Sequence, residues 1–248
     1  MKKLLIIPIA ALMLLTSGCS FLTGSAYTTY TSRANSYDYS EMEFIQFDEP
    51  EEGQPVAVIK TSKGDITAVL YPEYAPNTVD NFINRANDGY YDNNKVFGIY
   101  ETYLVATGSE SDDGNVGVSN DGKLIENEYT PKLWPFKGAI CSYSTTVGYG
   151  DSRYIICNTI EFTDEIMEQI RAVPDANKEQ LFPEELIDAW VEHGAIPQYS
   201  GLFTVFGQII DGMEVLEAMI DVGFDSETYK PKEDIIIYTV EITEYKRG

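Results

Sequence analysis

The stretch Val56–Tyr71 reads VAVIKT, SKGD and ITAVLY, and it decides the class of fold. Two runs of apolar, β-branched residues flank a short polar turn, which is the pattern of a β-hairpin. Directly after it, Pro76 opens a segment with apolar residues at helical spacing, and Gly89 ends that segment. The folded part therefore begins with two antiparallel strands and an amphipathic helix.

The remaining chain contains more strands than helices. Runs of apolar, β-branched residues predict further strands at 104–107, 138–143, 153–158, 203–209 and 235–242. Residues 213–220 have the spacing of a second amphipathic helix. Many short strands with two moderate helices favour a mainly β fold, an antiparallel barrel capped by the two helices.

Residues 160–197 are predicted to add an inserted helical pair. Thr163 and Asp164 have the character of a helix start, and Pro183 opens a second helix whose apolar residues share one face. A structural cap on the barrel and a partner-binding face are both compatible with this pattern.

Composition excludes several classes of function. The chain has 248 residues, with 17 Lys and Arg against 40 Asp and Glu, a net charge of -23. A surface this acidic repels the phosphate backbone of nucleic acids, and no nucleic-acid partner is therefore expected. One histidine and three cysteines are too few for a zinc or haem site, and no metal or cofactor is predicted, although the carboxylates leave calcium open.

The N-terminus has the features of a secretion signal. Lys2 and Lys3 precede an apolar run, and small residues lead to Cys19, so residues 1–18 are predicted to be a signal peptide. The ending resembles a bacterial lipobox, which predicts that Cys19 is lipid-anchored to the membrane outside the cytoplasm; an ordinary secreted protein is the alternative. Residues 19–55 are predicted to be a disordered acidic tether, and 56–248 the folded domain.

Several segments, in order, resemble the cyclophilin family. They are LYPEYAPNTVDNF at 70–82, GYYD at 89–92, TVFGQI at 204–209 and GMEV at 212–215. The resemblance implies a closed eight-stranded antiparallel barrel and cis/trans isomerisation of X–Pro peptide bonds. It also implies that partners are proline-containing peptides or unfolded protein segments.

The family's catalytic stretch, F-H-R-x-x-x-x-F-M-x-Q-G-G, is altered here. Aligned on Phe97 and Gly108, it places Ile99 where the family has its arginine and Thr107 where it has a glutamine. A guanidinium that hydrogen-bonds the prolyl nitrogen acts mainly in the twisted transition state. Losing it costs about 2–4 kcal/mol, on the order of a hundredfold to a thousandfold in rate.

The resemblance implies a peptide-binding set on the remaining positions. Its members are Phe97, Leu104, Val105, Thr107, Tyr143, Ser144, Ile155, Tyr199 and Phe203. Arg153 stands where the family has a groove-lining glutamine, which suggests the hypothesis that it restores a guanidinium to the site. The alternative is a surface arginine paired with a carboxylate such as Asp151.

Three functions are compatible with these residues. The first is a prolyl isomerase that assists secreted chains, and the second is a cyclophilin-like module that holds extended or proline-containing segments with weak or lost isomerase activity. The third, a solute-binding lipoprotein, fits poorly because such receptors are usually longer and have two α/β lobes. Cys141 and Cys157 fall on neighbouring predicted strands and could form a disulfide, but two buried free thiols are favoured.

Overall fold

The structure, a computed structural model, describes residues 36–171 and 181–247. The predicted signal peptide, Cys19 and the first part of the predicted tether lie outside these residues. No helix within the described residues is long and apolar enough to cross a bilayer.

The described residues form eleven strands. These are β1 (Pro55–Thr61), β2 (Gly64–Leu70), β3 (Asn94–Lys95), β4 (Gly98–Tyr100), β5 (Leu104–Thr107), β6 (Ile125–Glu126), β7 (Ala139–Ser142), β8 (Tyr149–Gly150), β9 (Tyr154–Cys157), β10 (Val205–Asp211) and β11 (Ile236–Glu244). Nine of them build one antiparallel sheet in the order β3-β11-β1-β2-β10-β7-β9-β5-β4, and β6 pairs with β8. The predicted hairpin and the five further predicted strands are confirmed.

The prediction of a closed eight-stranded barrel is corrected to a curled nine-stranded sheet. The sheet ends at β3 and β4, and no ladder joins these two within the part of the chain that the structure describes. They are consecutive in sequence, and only Val96 and Phe97 separate them. Val96 N–H donates to Ile235 O on the β11 side, whereas Phe97 N–H donates to Ala106 O on the β5 side. One extended segment, residues 94–100, thus contributes a strand to each end of the sheet. Strand propensities do not predict this division.

Four α-helices are described: α1 (Pro76–Asn87), α2 (Asp164–Arg171), α3 (Glu184–His193) and α4 (Met213–Asp221). α1 and α4 are the two helices expected to cap the sheet, and they bury Phe82 and Leu216 in one apolar cluster with its inner face. α2 and α3 are the predicted inserted pair. They form a second core around Trp134, Phe182 and Trp190.

Residues 36–54, here called the N-terminal arm, are ordered and packed on the fold. This corrects the prediction of a disordered tether over these residues. The arm contains short 3₁₀ turns and packs aromatic and aliphatic side chains on the second core. The Gln46 amide accepts from Trp134 N–H at 2.6 Å and donates to Trp134 O at 2.9 Å. Composition suggested disorder because the apolar residues of the arm follow no helix or strand period. The surface they pack on is built by residues far along the chain, among them Trp134, Phe136 and Phe182.

Candidate peptide-binding site

The outer face of the sheet carries a row of small and aliphatic residues. Gly98 pairs with Ala106, Ala106 with Ile155, Ile155 with Cys141, and Cys141 with Val205. Residues directly opposite in a ladder share a face of the sheet. This row is therefore the floor of the region where the sequence analysis placed peptide binding.

Three predicted positions lie on the opposite face. Ile99 and Val105 are fully buried in the inner cluster with α1 and α4. Thr107 lies across from Tyr154, a member of that inner cluster, and its hydroxyl donates to Lys95 O. The structure thus does not bring these three residues to the outer face. Leu104 and Ile155 do lie there, in a third cluster.

Gly98, next to Ile99 in β4, faces outward, so neither candidate for the arginine position supplies a cation. A Cβ added to Gly98 would lie 2.7–3.0 Å from the ring of Tyr100. That ring therefore occupies the space above the glycine, and it stacks on Tyr229 with centroids 5.1 Å apart. Burial raises the pKa of the Tyr100 hydroxyl above its ordinary value.

An aromatic strip covers the outer face; it consists of Phe97, Tyr143, Phe203 and Tyr199. Ring centroids are 6.4 Å apart for Phe97 and Tyr143, 6.2 Å for Tyr143 and Phe203, and 4.9 Å for Phe203 and Tyr199. Phe97 and Tyr199 are buried, whereas Tyr143 and Phe203 are half-buried and offer their rings to solvent. The strip unites four of the nine predicted peptide-binding residues.

Arg153 lies beneath this strip and is almost completely buried, with 3% of its surface exposed. Its guanidinium binds Asp151 through Nε at 3.0 Å and Nη2 at 2.5 Å, and Nη1 donates to Gly114 O at 2.7 Å. The ring of Tyr143 lies 5.2 Å from the guanidinium carbon. Burial raises the pKa of Tyr143, and the positive charge of Arg153 opposes that rise.

Backbone groups at the predicted Tyr143–Ser144 binding point are already engaged. Tyr143 N–H donates to Arg153 O, and Tyr143 O accepts from Asp151 N–H. The Ser144 hydroxyl donates to the carbonyls of Thr146 and Tyr149. An extended ligand therefore cannot add a strand at Tyr143 without displacing internal bonds.

Residues 109–119, here called the cover loop, lie over the Arg153–Asp151 pair. The Gly114 carbonyl accepts from Arg153, and Val118 N–H donates to Ser152 Oγ. A Cβ on Gly117 would lie within 3.0 Å of Asp151 Oδ1 and Arg153 Nε. The loop thus seals the edge of the site next to the strip.

Sequence reasoning missed Gly98 and the cover loop as parts of the site. The sequence analysis names Asp151 only in the alternative, as the partner of a surface arginine. The ion pair between Arg153 and Asp151 is present, but both side chains are buried. The closely spaced glycines at 114 and 117 are the one sequence signal that indicates a close backbone approach.

Residues 56–242 match the profile of the family described as cyclophilin type peptidyl-prolyl cis-trans isomerase/CLD. The chain belongs to the cyclophilin family. This cyclophilin is 29% identical over 196 residues to a Staphylococcus aureus protein named as a peptidyl-prolyl cis-trans isomerase, covering 79% of this chain and 95% of that one.

A second relative agrees with this assignment, and two solved structures share the fold. A Streptococcus pyogenes protein named as a bifunctional phosphatase/peptidyl-prolyl cis-trans isomerase is 32% identical over 207 residues, and this match spans 82% of the present chain but only 42% of that protein. Two crystal structures of a Cryptosporidium parvum cyclophilin share the fold, with TM-scores of 0.58 and 0.59 at 21% identity. They cover 76% and 79% of this chain and 98% and 99% of theirs.

Proposed function

We propose that this cyclophilin binds proline-containing or extended peptide segments on the aromatic strip, with weak or lost isomerase activity. The observation that carries the proposal is that Arg153, whose guanidinium lies against Tyr143 of the strip, is already bound by other groups of the protein. Arg153 is buried, and Asp151 and Gly114 O already hold its guanidinium. Catalysis of prolyl rotation needs a donor that meets the prolyl nitrogen in the transition state. Among the described residues, the guanidinium that lies against the strip is that of Arg153, and its N–H groups are already engaged.

The strip itself supports peptide binding. Half-buried aromatic rings with few neighbouring charges offer flat apolar surface to proline rings and extended chains, the mode used in aromatic-lined grooves. The rings of Tyr143 and Phe203 are half-buried and already present part of this surface to solvent.

A second candidate is an active isomerase in which Arg153 replaces the missing arginine. The position of its guanidinium, 5.2 Å from the Tyr143 ring, favours this candidate, because the cation lies directly under the proposed binding surface. The two candidates differ in turnover and share the ligand class.

One experiment tests both. Binding of an Ala-Pro-containing peptide is measured by calorimetry, and its isomerisation by NMR exchange. We expect binding that Tyr143→Ala and Phe203→Ala each weaken about tenfold, the equivalent of ~1.4 kcal/mol per aromatic contact. Tyr238→Ala, an exposed tyrosine on β11, is the matched control and should leave affinity unchanged. We expect kcat/KM below the common enzymatic range of about 10⁴–10⁸ M⁻¹s⁻¹.

Two results would contradict the proposal. Turnover within that enzymatic range would favour the active isomerase, and Arg153→Lys should then reduce it. A peptide affinity that neither Tyr143→Ala nor Phe203→Ala changes would show that the strip is not the binding site.

We further propose that Cys19 carries a lipid anchor and holds the domain at the outer side of the cell membrane. The charged start, apolar run and small residues before Cys19 support this proposal. Metabolic labelling with an alkyne fatty acid should mark the wild-type chain and not Cys19→Ala. Equal labelling of both would contradict it.

A further inference from the structure

The cover loop reaches the site only because two of its residues lack side chains. A Cβ on Gly114 would lie 2.7 Å from Phe97 Cε2, and a Cβ on Gly117 would meet the Asp151 carboxylate and the Arg153 guanidinium within 3.0 Å. The loop backbone is therefore in direct contact with the strip and with the buried ion pair. Any bulk at these points must lift it.

The cover loop is held together by its own bonds. Ser111 Oγ accepts from the amides of Asn115 and Val116, each at 3.1 Å, and Ser109 Oγ donates to Val116 O at 2.7 Å. Because these bonds lie within the loop, they survive if the loop moves as a unit.

Several bonds join the loop to neighbouring parts of the fold. They include Arg153 Nη1 to Gly114 O at 2.7 Å, Val118 N–H to Ser152 Oγ at 3.0 Å and the Lys95–Asp112 ion pair at 2.8 Å, and at the end of the loop Arg85 Nη2 on α1 donates to Ser119 O. The first of them occupies a guanidinium N–H that lies next to the strip. Lifting the loop frees that N–H while Asp151 continues to neutralise the charge.

We infer that the cover loop is a gate on the peptide site and that Asp151 is the positioning residue that keeps Arg153 ready beneath it. A bound peptide displaces the loop and offers one of its own carbonyls to Arg153 Nη1 in place of Gly114 O. The exchange replaces one carbonyl acceptor by another and leaves no buried charge unpaired, so its cost is small. This inference rests on the proposed peptide-binding function and adds the donor that a peptide carbonyl would meet.

Gly117→Ala tests the gate without changing a side chain that the strip uses. Gly117 has no positive φ, so alanine is tolerated by the backbone, and its Cβ must push the loop away from the Asp151–Arg153 pair. Val116→Ala is the control, because Val116 is an exposed residue of the same loop. Amide exchange of the loop and affinity for an Ala-Pro-containing peptide are measured for both variants and the wild type.

We expect Gly117→Ala to speed exchange of the Val118 amide, which is bonded outside the loop, about tenfold and to tighten peptide binding by a similar factor, since apparent affinity scales with the open fraction. Val116→Ala should change neither. Faster exchange without tighter binding would overturn the inference, and so would unchanged exchange, because the close contact would then not hold the loop shut.

A wild-type measurement covers the case in which Gly117→Ala does not fold. Saturating peptide should speed exchange in the wild type at the Val118 amide, which donates to Ser152 Oγ outside the loop, and slower or unchanged exchange there would overturn the inference. If the wild type binds peptide through Tyr143 and the loop does not respond, the gate fails and the proposed function stands. If the wild type and Gly117→Ala both fail to bind peptide, the proposed function fails with it.

Discussion

The carboxylate of Asp151 holds the guanidinium of Arg153 by two side-chain bonds, with both side chains almost completely buried, at 2% and 3% exposure. Asp151 Oδ1 also accepts from the backbone N–H of Arg153 at 2.9 Å. The two residues are only two positions apart, so the local backbone brings their side chains together. It connects the strip, the cover loop and β9.

Removing one member of this pair should be more damaging than removing both. Arg153→Met leaves a buried carboxylate without its cation, and such a loss costs about 3–5 kcal/mol in the free energy of unfolding. The double variant Arg153→Met/Asp151→Leu leaves no buried charge and should recover part of that loss. Urea denaturation of the wild type, both single variants and the double variant gives the coupling free energy.

An exposed pair provides the comparison. Lys60→Met breaks the ion pair with Glu241 on the sheet surface and should change stability much less. Losses that simply add in the Arg153/Asp151 cycle would mean that the two side chains do not form the coupled pair described here.

Most of the strands and helices could be predicted from the sequence, but which face of the sheet each residue of β4 occupies could not. Hairpin alternation and helical spacing are local properties, and they located β1, β2 and α1 closely. Which residue of β4 faces outward depends on its register against β5, where Gly98 opposes Ala106. Sequence spacing from Phe97 and Gly108 selected Ile99, which faces inward.

Long-range contacts were the other features that the sequence did not reveal. The N-terminus of α1 has no side-chain cap at Ala75, and Glu128 supplies one from 50 residues away by accepting from the backbone amides of Asn77 and Thr78. Gln46 likewise binds Trp134 across 88 residues. No local sequence pattern indicates these two contacts, because the residues that form them meet only in the assembled fold.

Gln46 should anchor the N-terminal arm. Its amide satisfies both backbone groups of Trp134 and donates to Gln208 Oε1 at 2.8 Å, all in a buried setting. Gln46→Ala leaves these groups unpaired and should lower the free energy of unfolding by about 1–3 kcal/mol. Glu51→Ala, an exposed change in the same arm, is the control and should have little effect. Thermal melts followed by tryptophan fluorescence measure both, and equal melting of the two variants would mean that the arm does not depend on this contact.

Cys141 and Cys157 should remain free thiols that react only after unfolding. Both are buried, their sulfurs are 3.6 Å apart, and neither is in a disulfide. Burial raises the pKa of the Cys141 thiol well above its ordinary value, which suppresses the reactive thiolate. A chain starting at Ser36 should show no reaction with a thiol reagent at pH 8 and two reactive thiols in denaturant. Fewer than two thiols in denaturant without reductant would indicate a disulfide.

Stability should fall steeply in alkali, because several tyrosines are buried as neutral hydroxyls. Burial raises the pKa of Tyr91, Tyr154 and Tyr199 above the ordinary value of 10.0. The folded chain therefore keeps protons that the unfolded chain releases above pH 10. Stability from these groups is complete below pH 10 and declines above it, at about 1.4 kcal/mol per pH unit for each tyrosine until its folded pKa is reached.

Tyr154→Phe should reduce this alkaline loss at little cost near neutrality. The Tyr154 hydroxyl has no hydrogen-bond partner among the described residues, so removing it breaks no bond. Tyr91→Phe is the matched control, because the Tyr91 hydroxyl donates to Ser152 O at 3.1 Å and its loss should cost about 1 kcal/mol at pH 7. Urea denaturation between pH 7 and pH 11 measures both variants. An alkaline slope that Tyr154→Phe leaves as steep as in the wild type would show that Tyr154 does not stay protonated in the folded chain.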